Sequence, residues 1–250
     1  MMPTVLFLYN SSSYAVQPWL DDGRFNVVSV DYSDTDHSAE HRPNRDHRHY
    51  RINADLSHPL AKYYVADQLN WWKFPRPYLV VSFAPCTDLA VSGAKHFERK
   101  RLADPEFQNK AVANARLAEF FECPYAVENP VSVLATLWRK PDMYWHPCDF
   151  AGYCPEGPHP EFPEVIPEQD RYNKKTCLWT GNGFILPEFK RLEPLQDQNP
   201  GHEKLGGKSA RTKYIRSLTP RGFAQAVYEA NVDAILENHE QTTEFWRYGL

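Results

Sequence analysis

Two short stretches carry residue types that could do covalent chemistry. The first, SFAPCTDLAVSG (residues 82–93), follows an apolar run, Tyr78 to Val81, that reads as a buried strand, and it delivers Cys86 directly after Pro85. A thiol at a strand end, with proline fixing the backbone before it, is placed to act as a nucleophile. The second, YAVENP (residues 125–130), ends another apolar run on Glu128-Asn129-Pro130. A carboxyl group there can hydrogen-bond or share a proton with whatever the thiol attacks. An isolated cysteine is usually packing material. The ordered pair of strand ends is what makes Cys86 a candidate.

These ends need a scaffold, and the patterning supplies one. Apolar runs at Thr4–Tyr9, Phe25–Asp31, Arg51–Asn53, Tyr78–Phe83 and Tyr125–Val127 predict five strands, with a further strand at Leu178-Trp179. Helices are predicted over Tyr14–Leu20, Pro59–Trp72, Pro105–Glu122 and Pro220–Glu237. Strands alternating with helices predict an α/β fold: a doubly wound, mainly parallel sheet with a small irregular insert. The expected division is 1–142 for the catalytic and cofactor domain, 143–215 for the insert, and 216–250 for a helix returning to the first domain. In such sheets ligands sit beyond the carboxyl ends of the strands, here Asn10, Asp31, Asp55, Cys86 and Glu128.

A net charge of -4 over 250 residues excludes a global field for nucleic acid, so any such binding rests on local basic surface. Clusters occur at Arg99-Lys100-Arg101, along the late segment from Lys204 to Arg221, and in a His- and Arg-rich stretch at 37–51. Five widely spread cysteines, with no visible secretory signal and no apolar run of spanning length, predict free thiols, no membrane contact and a cytoplasmic setting. His146, Cys148, Cys154 and His159 share one irregular stretch but fit no compact ligand spacing, so no metal is expected.

In order along the chain these motifs resemble the DNA cytosine-5 methyltransferases, and most closely compact, phage-type members with a Pro-Cys-Thr loop. APCTDLAVSG is similar to the family's nucleophile loop, VENP to its Glu-Asn motif, RSLTPRG (216–222) to its Arg-x-Leu-Thr segment, and Lys175-Thr176-Cys177-Leu178-Trp179 to a Lys-Thr-x-Leu-Trp segment. The resemblance implies a Rossmann-like methyltransferase fold, S-adenosylmethionine as cofactor and a cytosine flipped out of DNA as substrate. It implies a catalytic set of Cys86, Glu128, Asn129 and Lys175. Cofactor contacts would come from Asn10, Ser11, Ser12, Asp31, Tyr32, Asp55 and Pro85. DNA contacts would come from Arg99, Lys100, Lys174, Lys208, Arg211 and Arg216. Two departures stand out: no glycine occurs between Met1 and Asp22, where the family has a Gly-rich turn, and YNKKTCLW replaces its Gln-x-Arg-x-Arg segment. They motivate two alternatives, a cytosine-modifying enzyme using another one-carbon donor or a free nucleotide, and a non-catalytic DNA-binding relative.

Overall fold

The computed structural model describes residues 2–10, 12–32, 48–74, 76–195, 205 and 209–248. Ser11, Lys208 and most of the 37–51 stretch lie outside them. Among the described residues, seven strands form one sheet in the order β3-β2-β1-β4-β5-β7-β6. They are β1 (Thr4–Leu8), β2 (Asn26–Asp31), β3 (His49–Asn53), β4 (Leu79–Ser82), β5 (Tyr125–Pro130), β6 (Met143–Trp145) and β7 (Thr176–Gly181). β1 to β5 run parallel, and β7 is inserted antiparallel between β5 and β6. All five residues of β1 are buried, because a central parallel strand is covered on both faces.

Helices cover both faces, which completes the expected doubly wound α/β fold. α1 (Gln17–Asp22) and the long α7 (Arg221–Tyr248) pack on one face, where Trp19, Phe7, Val81, Phe223 and Val227 share a core. α2 (Ala61–Trp71) and α4 (Phe107–Ala115) pack on the other, around Leu6, Val80, Val65 and Ala111. The short helices α3 (Phe97–Ala103), α5 (Leu134–Leu137) and α6 (Ala210–Ser217) complete the set. A smaller third cluster joins Phe162, Ile166 and Tyr172 to Ile215 and Leu218, with Tyr14 packed against it.

Three expectations are corrected. The stretch 143–215 is not wholly an insert, since β6 and β7 are strands of the main sheet. The helix expected over Pro105–Glu122 is two pieces: α4 ends at Ala115, a tighter helical turn runs over Arg116–Phe121, and Glu122 closes it in a left-handed conformation at φ 51°. β5 extends to Pro130, because Glu128, Asn129 and Pro130 pair with Leu178, Cys177 and Thr176 of β7.

Candidate active site

β4 and β5 are hydrogen-bonded neighbours, with Ser82 opposite Val127, so their carboxyl ends emerge side by side. Glu128 lies on the same sheet face as Ala126 and as Leu178 across from it, the face covered by α7. Asn129 points to the opposite face, is fully buried, and donates from Nδ2 to the Ala84 carbonyl at 2.8 Å. That bond ties the end of β5 to the chain two residues before Cys86.

The loop after Cys86 is closed rather than open. Leu89 and Ala90 donate their backbone N–H to the Cys86 carbonyl at 3.0 and 2.8 Å. Val133 donates to Leu89, and Ala90 forms an isolated antiparallel bridge with Ser132, which clamps the loop to the segment after β5. Lys100 donates to the Thr87 carbonyl and pairs with Asp88. Lys100 therefore braces the loop after Cys86 instead of standing free for a phosphate.

Electrostatics join the two ends. Burial pushes the Glu128 carboxyl above the usual carboxylate range, opposed by the Lys174 ammonium. Cys86 is half-buried, and its thiol is raised first by burial and then by the charge of Glu128, with Lys174 pulling it back. Glu128 and Lys174 thus both act on the Cys86 thiol, and Lys174 acts on the Glu128 carboxyl. Lys174 is held by the Arg216 carbonyl at 3.3 Å, at the last turn of α6. Lys175, assigned by resemblance to the catalytic set, is exposed and sits over the Tyr144 ring at 5.1 Å. The structure brings Lys174, not Lys175, toward the thiol and carboxyl.

At the ends of β1 to β3 the glycine-less turn is made by Tyr9, which takes φ 55°. Asn10, buried, donates its backbone N–H to Val30 and its side chain to Ser29 Oγ at 3.2 Å. The Ser12 hydroxyl is buried and has no hydrogen-bond partner among the described residues. Asp31, half-buried at the end of β2, is raised by burial and lowered by the Tyr32 backbone and by Arg51. Tyr32 beside it is exposed. Asp55 is exposed, and it accepts from the Ser57 hydroxyl and backbone N–H at 2.6 and 2.9 Å, which lowers its pKa. Tyr9 responds to both acids: after burial, the charges of Asp55 and Asp31 raise its phenol. Neither Tyr9 nor the central place of Lys174 was apparent in the sequence; a tyrosine where glycine is expected was the available signal for the first.

The remaining predicted residues are dispersed. Pro85 is exposed beside Cys86. Arg99 is exposed on α3 and Arg216 on α6. Arg211 pairs with Glu164 at 2.5 Å and lies over the Phe162 ring. Among the described residues no group of three or more His, Cys, Asp or Glu could hold a metal, and no helix is long and apolar enough to cross a membrane. All five cysteines are free of disulfides.

No family model matches the sequence, and no curated protein matches it. Solved structures do align with the fold. A candidate DNA modification methyltransferase encoded within a prophage, from E. coli, aligns over 76% of this chain and 53% of its own, at 10% identity and a TM-score of 0.43. The MycE methyltransferase of the mycinamycin pathway, in complex with Mg and SAH, aligns over 76% and 46%, at 13% identity and a TM-score of 0.31. A 4-hydroxyisoleucine dehydrogenase complexed with NADH aligns over 48% and 51%, at 16% identity and a TM-score of 0.27. This chain spans about half the length of each, and likenesses this loose carry no functional argument.

Proposed function

We propose that this chain methylates C5 of cytosine in DNA, using Cys86 as a covalent nucleophile. The observation that carries the reading is the electrostatic coupling of Cys86 with Glu128 and Lys174 at adjacent strand ends, one of them locked to the other by Asn129.

C5 of cytosine is a poor nucleophile. Addition of the Cys86 thiolate to C6 pushes the ring electrons toward C5, while the Glu128 carboxyl gives its proton to N3, leaving C5 enamine-like. The raised pKa of Glu128 favours the protonated carboxyl that this step needs. When bound, S-adenosylmethionine supplies an electrophilic methyl group for C5. Once a base takes the C5 proton, the electrons of that bond expel the Cys86 thiolate, and the N3 proton returns to Glu128. Lys174 favours the thiolate throughout. The target base must leave its stack to reach a sheet-end cleft.

The residues present fit an adenosyl group. Asp31 at the end of β2 would accept a ribose hydroxyl pair, Tyr32 offers exposed aromatic surface, and the buried Ser12 hydroxyl has no partner among the described residues. The left-handed Tyr9 turns the chain as a glycine would. The test is to incubate the protein with DNA and S-adenosylmethionine and analyse hydrolysed nucleosides by mass spectrometry. 5-Methylcytosine made by the native chain and not by Cys86→Ser supports the reading. A methyl group on N4 of cytosine or on adenine would refute it.

A further inference from the structure

A cavity of about 300 Å³ lies at the amino ends of the strands, the opposite edge of the sheet from Cys86. It opens between the second half of α2, the segment leading into β4 and the helical turn before β5. That volume is at the lower end of the range for small-molecule sites. Three phenylalanines line it, from two segments of the chain. Phe74 comes from one, backed by Tyr50 at 4.6 Å and Trp72 at 5.6 Å between ring centroids. Phe120 and Phe121 come from the other, with Phe120 backed by Tyr63 at 5.3 Å.

The rim is polar and pre-set. Arg76 donates from Nε to the Phe121 carbonyl at 2.7 Å and from Nη2 to Glu122 Oε2 at 2.8 Å, which holds the guanidinium in place and pairs its charge. The side-chain amide of Asn70 lies on the same rim, on the exposed side of α2. Aromatic side chains take a flat ring by stacking, and a rim of amide and carboxylate matches a ring edge that carries both an amine and a carbonyl. The pairing of Arg76 with Glu122 favours a neutral ligand over an anion.

We infer that this cavity is a binding site for a neutral nucleoside, its base held between Phe74 and Phe120 and its edge read by Asn70 and Glu122. The site is separate from the Cys86 cleft and does not depend on the methyltransferase reading. Cytidine and guanosine are titrated into the full chain by calorimetry, with ribose as control and with the Phe120→Ala, Asn70→Ala and Asp31→Ala variants in parallel. Thermal midpoints without ligand report whether each variant folds, and Asn70→Ala, on an exposed helix surface, keeps the test open if Phe120→Ala does not. The expected result is saturable binding of at least one nucleoside and not of ribose, weakened about tenfold in Phe120→Ala or Asn70→Ala and unchanged in Asp31→Ala. Absence of binding at millimolar nucleoside overturns the inference. So does binding that survives both cavity variants or is lost in Asp31→Ala, since that would locate the nucleoside elsewhere.

Discussion

In the proposed mechanism Cys86 and Glu128 exchange their proton states within one site, and the charge of Glu128 raises the thiol. The reactive arrangement, thiolate with protonated carboxyl, holds one proton between the two groups, as does thiol with carboxylate. The rate of methylation is therefore expected to be flat between the two apparent pKa values and to fall on both sides. Lys174 lowers both groups, so Lys174→Met should move both limbs of the pH profile to higher pH. Glu128→Gln should reduce the rate by about 100-fold or more and replace the plateau with a rate that climbs as Cys86 deprotonates. The same variant tests stability. A carboxyl raised in the folded state contributes stability that is complete below its ordinary pKa and is lost as pH rises through the raised value. Glu128→Gln should thus match the native chain near pH 4 and exceed it by on the order of 1 kcal/mol at neutral pH, measured by denaturant melts. At this scale the sequence was informative about which residues, because Pro-Cys and Glu-Asn at strand ends are local patterns. It was silent on which lysine acts on the pair, since Lys174 and Lys175 are adjacent in the segment just before β7, where no periodic pattern separates them.

The elements most legible in the sequence were those with a buried, periodic face. β1, β2 and β4 fell within one or two residues of their expected bounds, since central strands are continuous apolar runs. α3 was missed because it buries none of its residues and so leaves no apolar period to read. β6 was missed because it has three residues and gains its pairing only from β7. That the last helix returns to the first domain was expected, but the contact that anchors α7 there was not, for it depends on distant residues. Asp170, buried and left-handed at φ 56°, accepts the Arg221 backbone N–H at 2.6 Å and its guanidinium at 2.9 Å, capping the helix from 51 residues away. Asp170→Asn, which leaves the Arg221 charge buried without its partner, should cost about 3 kcal/mol and lower the thermal midpoint by about 10 °C. Gly222 has a second kind of constraint. A Cβ there would stand 2.2 Å from the Phe150 carbonyl oxygen, so Gly222→Ala should force α7 off the sheet and destabilise the chain in the same melts.

Across the whole molecule, one sheet carries two candidate sites at its two edges. Its carboxyl edge gathers the thiol, carboxyl and ammonium, along with the acids at the ends of β2 and β3, which is where a doubly wound sheet receives ligands. Its amino edge holds the aromatic cavity. The stretch 143–215 contributes β6 and β7 to the sheet and most of the third cluster, against which Tyr14 packs, so it shares one body of packing with the rest of the chain. The most direct test of the account is a duplex oligonucleotide carrying 5-fluorocytosine, which cannot lose its C5 substituent as a proton and so traps the Cys86–C6 bond. On a denaturing gel the native chain should form a stable adduct that requires S-adenosylmethionine and vanishes in Cys86→Ser. An adduct that persists in Cys86→Ser, or methylation of ordinary cytosine with no adduct to the fluorinated base, would contradict it.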